Sequence, residues 1–198
     1  MKQVVLMVMG ETNGDRLIPN MSDPIRTMTQ RLRDATLPNS SIYARTSPLA
    51  CMETAGTMHR HLPDHPEPRP LSLLGEETDL DSRMAWKKIT QGKGYVRLAA
   101  AQHALRAAFE QEVVNKLQEG ECYIVILPRE AVDHLLKSFG LKLSSALPPL
   151  SCVILTVHTN NEEDEVVSKK SKSRSKKSKA KEGEVSYTYT SQEILYIS

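Results

Sequence analysis

Three continuous apolar runs lie along the chain, at residues 3–9, 122–127 and 151–158. Each lacks the polar alternation of a half-exposed strand, which predicts a strand buried on both faces. A shorter strand is predicted at 41–44, and a further short one at 71–74. Strands of the first kind are typical of a sheet that carries helices on both sides.

Between the strands, apolar residues recur at the three- and four-residue spacing of a helix. The first helix is expected to begin at Ser22, where a capping side chain stands before Pro24. The alternation of strand and helix predicts an α/β fold, a three-layer helix–sheet–helix sandwich with a mostly parallel central sheet, formed by residues 1–160. The predicted helices are 22–35, 48–60, 94–118 and 130–138.

Two stretches do not fit this alternation. Residues 62–70 contain four prolines, which exclude regular structure there. Residues 75–93, which include Trp86, are polar and give no clear period.

Residues 185–198 (VSYTYTSQEILYI and a final Ser) show the apolar–polar alternation of a β-strand and are predicted to form one. Such a strand either returns to the edge of the domain's own sheet or docks onto a partner, and we favour the second.

The charge of the chain is distributed unevenly. Its 198 residues carry 26 Lys and Arg against 24 Asp and Glu, a net charge of +2. Residues 169–181 hold eight of those bases and no acid, so the remainder has 18 bases against 24 acids, or −6. The eight are Lys169, Lys170, Lys172, Arg174, Lys176, Lys177, Lys179 and Lys181.

Residues 161–184, acidic at first and then basic, are therefore predicted to be a charged, disordered linker, because they have little apolar surface to bury. The basic run is the expected partner-binding segment. It suits a nuclear import signal, nucleic-acid phosphates or an acidic protein surface, and its charge supplies affinity without sequence specificity.

Composition also excludes several classes of protein. No apolar run approaches the roughly 18 to 20 residues that span a bilayer. Three widely spaced cysteines are expected to be free thiols in a reducing compartment, which places the protein inside the cell, in the nucleus or in the cytoplasm and cytoskeleton. His59, His61 and His65 are close together but lack a cysteine or acidic partner at metal spacing. We expect no metal and no cofactor.

In an α/β sheet, ligands bind beyond the carboxyl ends of the strands. The first long strand ends at Val8-Met9-Gly10-Glu11-Thr12, and the second ends at Leu127-Pro128-Arg129-Glu130. A thioether, an aliphatic chain and a proline offer neither a nucleophile nor a proton donor. The residues alone therefore disfavour catalysis.

Four segments nevertheless resemble, in order, the histidine phosphatase (phosphoglycerate-mutase-like) superfamily. Residues 6–12, LMVMGET, resemble its L-V-R-H-G-E-T motif. Residues 42–55 resemble its I-Y-x-S-P-L segment, residues 123–141 resemble its V-L-V-V-S-H-G-G strand and following helix, and residues 151–155 match a late strand. The resemblance implies that the domain has this superfamily's fold.

The departures from the family pattern fall on its chemistry. The resemblance aligns the phosphoryl-accepting histidine with Met9, the neighbouring arginine with Val8 and the second pocket histidine with Pro128. The arginine of the S-P-L segment has no aligned counterpart. Arg45 and Arg129 are the candidates for residual anion binding, and the proton donor would fall at Glu76 or Glu77. Without a nucleophile and its anion clamps, the resemblance implies a pseudophosphatase.

We therefore expect a non-catalytic, histidine-phosphatase-like structural or interaction subunit of a larger intracellular complex, with a basic tail that contacts an acidic partner. One alternative is a nucleic-acid-associated subunit, such as a transcription-factor component. Another is a phosphatase with a rearranged active site, for example one that uses Cys51 and the imidazole of His59 or His61. An unrelated α/β domain, with Val8 and Met9 in its core, also stays open.

Overall fold

The computed structural model describes residues 1–46, 48–62, 65–73, 95–143, 145–160 and 186–196. Its strands are β1 Lys2–Val8, β2 Thr12–Asn13, β3 Arg16–Leu17, β4 Asn39–Arg45, β5 Arg69–Leu71, β6 Glu121–Leu127, β7 Cys152–Asn160 and β8 Ser186–Leu195. Its α-helices are α1 Ser22–Ala35, α2 Leu49–Arg60, α3 Tyr95–Glu112 and α4 Arg129–Ser138, and two 3₁₀ turns cover Pro19–Met21 and Val114–Lys116.

Six strands form the central sheet in the order β5-β4-β6-β1-β7-β8, and β2 pairs with β3 in a small hairpin. β5, β4, β6 and β1 run parallel, whereas β7 is antiparallel to β1 and β8 is antiparallel to β7. The sheet is therefore mostly parallel, with an antiparallel pair at one edge, and the predicted fold class is confirmed.

Successive side chains of β1 enter two different cores, because side chains of a strand alternate between its faces. Val4, Leu6 and Val8 pack towards α3 and α4. Val5 and Met7 pack on the other face, towards α1 and α2. All five are at most 3% exposed, which explains why this strand has no polar alternation. The layers are those predicted from the apolar runs.

Some predicted boundaries are wrong. The prolines of 62–70 were expected to exclude regular structure, yet Pro70 lies within β5. β5 is the edge strand next to β4, and an edge strand tolerates a residue without an N–H group. The strand predicted at 71–74 consequently begins and ends earlier, at Arg69–Leu71. The third helix ends at Glu112 rather than 118, and a 3₁₀ turn follows it.

The C-terminal strand belongs to the chain's own sheet. β8 pairs with β7 over nine residue pairs, from Asn160–Ser186 to Cys152–Leu195. The preference for a strand docked onto a partner is therefore wrong, because Tyr187 and Tyr189 are buried in the core against the domain's own helices. Residues 161–185 connect two paired strand ends, so the basic run is an internal connection and not a tail.

No helix in the described ranges is long and apolar enough to cross a membrane. The linker at 161–184, the polar segment at 75–93 with Trp86, and the eight bases of 169–181 lie outside the described residues.

Candidate functional site

The carboxyl ends of β1 and β6 lie side by side. The two strands are in parallel register up to the pair Val8–Leu127, so Met9 and Pro128 follow at the same level. The Met9 N–H donates to the Leu127 carbonyl at 2.9 Å, and the Val8 N–H donates to the Ser151 carbonyl, also at 2.9 Å. The two positions that the resemblance aligns with the family's histidines are thus brought together.

Gly10 lets the chain turn tightly after β1. A Cβ atom at this position would lie 2.7 Å from Leu17 Cδ2 and 3.2 Å from Met21 Cε. The Gly10 N–H donates to Thr54 Oγ1 at 3.1 Å, and that hydroxyl donates in turn to the Ala50 carbonyl at 2.7 Å. The first turns of α2 are therefore fastened to the end of β1.

A shallow cavity of about 240 Å³ opens at this end of the sheet. Arg129 is its basic residue, and the Arg129 Nε–H donates to the Leu147 carbonyl at 2.6 Å. Glu11 and Glu130 are both exposed at the same cavity, so the charged side chains that line it in the described ranges sum to a negative charge. A phosphate dianion would meet repulsion here, because like charges close together are destabilising. The lining residues are Val8, Met9, Gly10, Glu11, Thr12, Arg129, Glu130 and Pro149.

The side chains at the positions that replace the family's catalytic residues, Val8, Met9 and Pro128, are packed against the protein interior. Val8 is 3% exposed and belongs to the core on the α3 and α4 side. Met9 is half-buried and packs on the α1 and α2 side, and Pro128 is buried. Arg45 is the last residue of β4 and lies at the same carboxyl-terminal end of the sheet, but it does not line the cavity. Of the two arginines predicted to bind anions, the structure brings Arg129 to the cavity and leaves Arg45 beside it.

The Cys51 thiol of α2 contacts the Met9 side chain. It donates to the Met9 thioether at an S–S separation of 3.6 Å and is completely buried. Burial raises the pKa of Cys51 to about 12, although the nearby Arg45 charge acts in the opposite direction. A thiol with this pKa is protonated at neutral pH and is a poor nucleophile.

The imidazoles proposed as partners of Cys51 are far from it. His59 lies two helical turns further along α2, about 12 Å away along the axis. α2 runs back across the sheet between the parallel strands β4 and β5, so its C-terminal end, with His59 and His61, lies away from the cavity. The rearranged site built on Cys51 and either histidine is therefore wrong.

His59, His61 and His65 lie at the end of α2 and just beyond it. Within the described ranges, no group of three or more His, Cys, Asp or Glu side chains is placed to hold a metal ion. Glu76 and Glu77, the positions expected for the proton donor, lie outside those ranges.

Thr12 was expected at the end of the first long strand, and it lines the cavity. The sequence did not single out Pro149 as a cavity residue. Pro149 reaches the cavity through the loop before β7, and the Leu150 N–H donates to the Val8 carbonyl at 3.2 Å. No sequence pattern indicates that contact, because it depends on how β7 pairs with β1.

Known structures with this fold are histidine phosphatases and phosphoglycerate mutases. The protein histidine phosphatase SixA, complexed with tungstate, matches with a TM-score of 0.50 and 15% identity over 78% of this chain and 87% of that one. A phosphoglycerate mutase from Plasmodium falciparum matches with a TM-score of 0.51 and 18% identity, over 79% and 86%. YhfR from Bacillus stearothermophilus matches with a TM-score of 0.53 and 17% identity, over 79% and 91%.

No protein-family model matches the sequence, and no curated protein sequence matches it. At these identities the structural likeness establishes the fold alone. The chain has the histidine-phosphatase-like fold, and the resemblance predicted from four sequence segments is confirmed at that level.

Proposed function

We propose that this chain is a catalytically inactive histidine-phosphatase-like domain that serves as a structural or interaction subunit of a larger assembly. The observation that carries the proposal is the position of Met9 and Pro128, which directly follow the paired residues Val8 and Leu127 at the ends of β1 and β6. Neither side chain can accept a phosphoryl group or transfer a proton.

The surroundings of these two residues support the same proposal. Among the described residues, the cavity has one base, Arg129, against two acids, Glu11 and Glu130. Thr12 is the one lining hydroxyl in the described ranges, and no imidazole, thiol or lysine amine from those ranges lines the cavity to activate it. Catalysis of phosphoryl transfer depends on several cationic groups that stabilise the transferred phosphoryl charge, and the described part of the cavity has only one.

Activity is tested with a generic phosphate monoester and the purified chain. We expect no turnover above a blank prepared from cells without the protein. Turnover that is lost in the double variant Glu76→Gln/Glu77→Gln, but retained in the matched surface variant Glu67→Gln, would overturn the proposal. Turnover that survives both sets of changes equally marks a contaminating enzyme.

Oxyanion binding gives an independent readout. SixA was crystallised with tungstate, a phosphate-like oxyanion. We expect tungstate titrated into this chain to release no heat beyond dilution and to leave its melting temperature unchanged. Saturable binding that is lost in Arg129→Gln would show that the cavity still accepts a phosphate-like anion, and would contradict a purely structural role.

The interaction role is tested by native purification from source cells. We expect the full chain to co-purify with other proteins in fixed stoichiometry at low salt. An internal deletion of residues 169–181 is expected to weaken that association, and rising salt to mimic the deletion, since contacts made by a basic run are screened. A chain recovered alone at every salt concentration would contradict the assembly role.

A further inference from the structure

The two edges of the sheet are built differently. β5 has three residues and contains Pro70. β8 has ten residues, Ser186–Leu195, with no proline and no base, and its one charged residue is Glu193. Natural sheets protect an exposed edge with short strands, prolines or lysines. The β5 edge is short and contains a proline. The β8 edge has none of these three features, and its bulge at Gln192, another device that protects an edge, lies outside residues 186–190.

β8 is also held firmly in place from within the domain. The Tyr187 hydroxyl donates to Asn115 Oδ1 at 2.7 Å, and the Tyr189 hydroxyl donates to Glu110 Oε1 at 3.0 Å. The ring of Tyr189 stacks on Phe139, with a centroid separation of 3.8 Å. A strand fixed in this way loses little entropy when another strand pairs with it, which favours association.

The sequence of β8 indicates which strand fits its edge. Residues 186–190, S-Y-T-Y-T, are nearly palindromic about Thr188. In a two-fold antiparallel pair centred there, Thr188 opposes itself, Tyr187 opposes Tyr189, and Ser186 opposes Thr190. Aromatic pairs and hydroxyl pairs directly across two strands stabilise a sheet. No charge opposes its own copy in this register.

We propose that the β8 edge is a homodimer interface, at which β8 of a second copy pairs antiparallel about Thr188 and joins the two six-stranded sheets. Ser186, Thr188 and Thr190 are exposed and available to face their counterparts. Arg106 donates to the Tyr187 carbonyl at 3.0 Å, but a carbonyl oxygen has two lone pairs and accepts a second bond.

The assembly closes at two copies. A two-fold axis uses the same edge of both protomers, and the remaining free edges among the described strands are then the short β5 strands with Pro70. A pair of five-residue segments buries less surface than a standard interface, so the dimer is weak and concentration-dependent. This inference concerns the edge of the sheet and stands whether or not the cavity is catalytic.

The test introduces charges at Thr188, which lies on the two-fold axis, and measures dimerisation of the full chain by analytical ultracentrifugation. Because Thr188 opposes itself, both Thr188→Lys and Thr188→Glu place like charges together. We expect each variant to raise the dimer Kd by roughly fivefold or more. A 1:1 mixture of the two variants is expected to dimerise again, since each Lys then faces a Glu.

Thr27→Lys and Thr27→Glu, at an exposed position of α1, are the matched controls and are expected to dimerise like the unmodified chain. Circular dichroism checks that all four variants fold. A chain that sediments as a monomer up to roughly 500 µM overturns the proposal. So does a dimer that both Thr188 variants retain, a mixture that stays monomeric, or an assembly larger than two.

Discussion

Arg106 fastens β8 to the rest of the domain, and its replacement by alanine tests that role. Its guanidinium donates to the Ser138 carbonyl at 2.8 Å and to the Tyr187 carbonyl at 3.0 Å. It also pairs with Glu110 at 2.9 Å and lies over the ring of Tyr189 at 5.7 Å. One side chain thereby joins α3, the end of α4 and the edge strand.

The expected loss follows from those contacts. Each bond to a carbonyl contributes about 1 kcal/mol at this partial exposure, where the Arg106 side chain is 29% exposed. The ring contacts add about 0.5 kcal/mol each, and an i,i+4 ion pair adds about 0.4 kcal/mol. Arg106→Ala should therefore lower the free energy of unfolding by about 3 kcal/mol, or lower Tm by roughly 6–12 °C in a chain of this size.

Urea unfolding followed by circular dichroism measures this loss. Arg26→Ala is the matched control, because Arg26 pairs with Asp23 on an exposed helix face and such pairs contribute little. Arg106→Lys keeps the charge but loses the planar fork, so its stability should fall between those of the native chain and Arg106→Ala. A value for Arg106→Ala within about 0.5 kcal/mol of the unmodified protein would refute the reasoning.

Three further predictions concern Glu53, Gly10 and the cysteines. The Leu17 N–H donates to the Glu53 carboxylate and holds the pKa of Glu53 below its usual value. Glu53→Gln should therefore lower the free energy of unfolding at neutral pH, and the two proteins should become equally stable once acid protonates Glu53. Urea unfolding at a series of pH values measures this difference. Gly10→Ala should cost about 1 kcal/mol by the same assay, because Leu17 Cδ2 must shift to admit the new Cβ atom. A thiol reagent at neutral pH should label no cysteine rapidly in the native protein and three after unfolding; the buried thiols are Cys51, Cys122 and Cys152.

The apolar runs predicted the centre of the sheet because burial on both faces leaves a mark on the sequence. β1 after Lys2, β6 after Glu121 and the first part of β7 are buried throughout, which matches their unbroken apolar sequence. The strand predicted at 71–74 lies at Arg69–Leu71, because the prolines before it were taken to exclude a strand. A proline is tolerated there because β5 is an edge strand. Edge position is a property of the whole sheet and is absent from the local sequence.

Which sheet β8 joins could not be predicted from the local sequence either. An alternating S-Y-T-Y-T pattern fits a half-buried strand on any sheet, whether in this chain or in a partner. What fixes it here is contact with Arg106 and Phe139, which are distant in sequence. At the site, both arginines lie near strand ends, but the orientation of Arg129 towards the Leu147 carbonyl could not be predicted from spacing.

The pairing of Asn160 with Ser186 also limits how far the basic run extends from the domain. About 25 residues attached at one end would reach roughly 85 Å when fully extended, but attached at both ends they reach only about 40 Å. β7 is antiparallel to β1, so those attachment points lie at the end of the sheet opposite Met9. A partner that binds residues 169–181 is therefore held within about that distance of the Asn160 and Ser186 attachment points, and truncating the chain to remove the run would remove β8 as well.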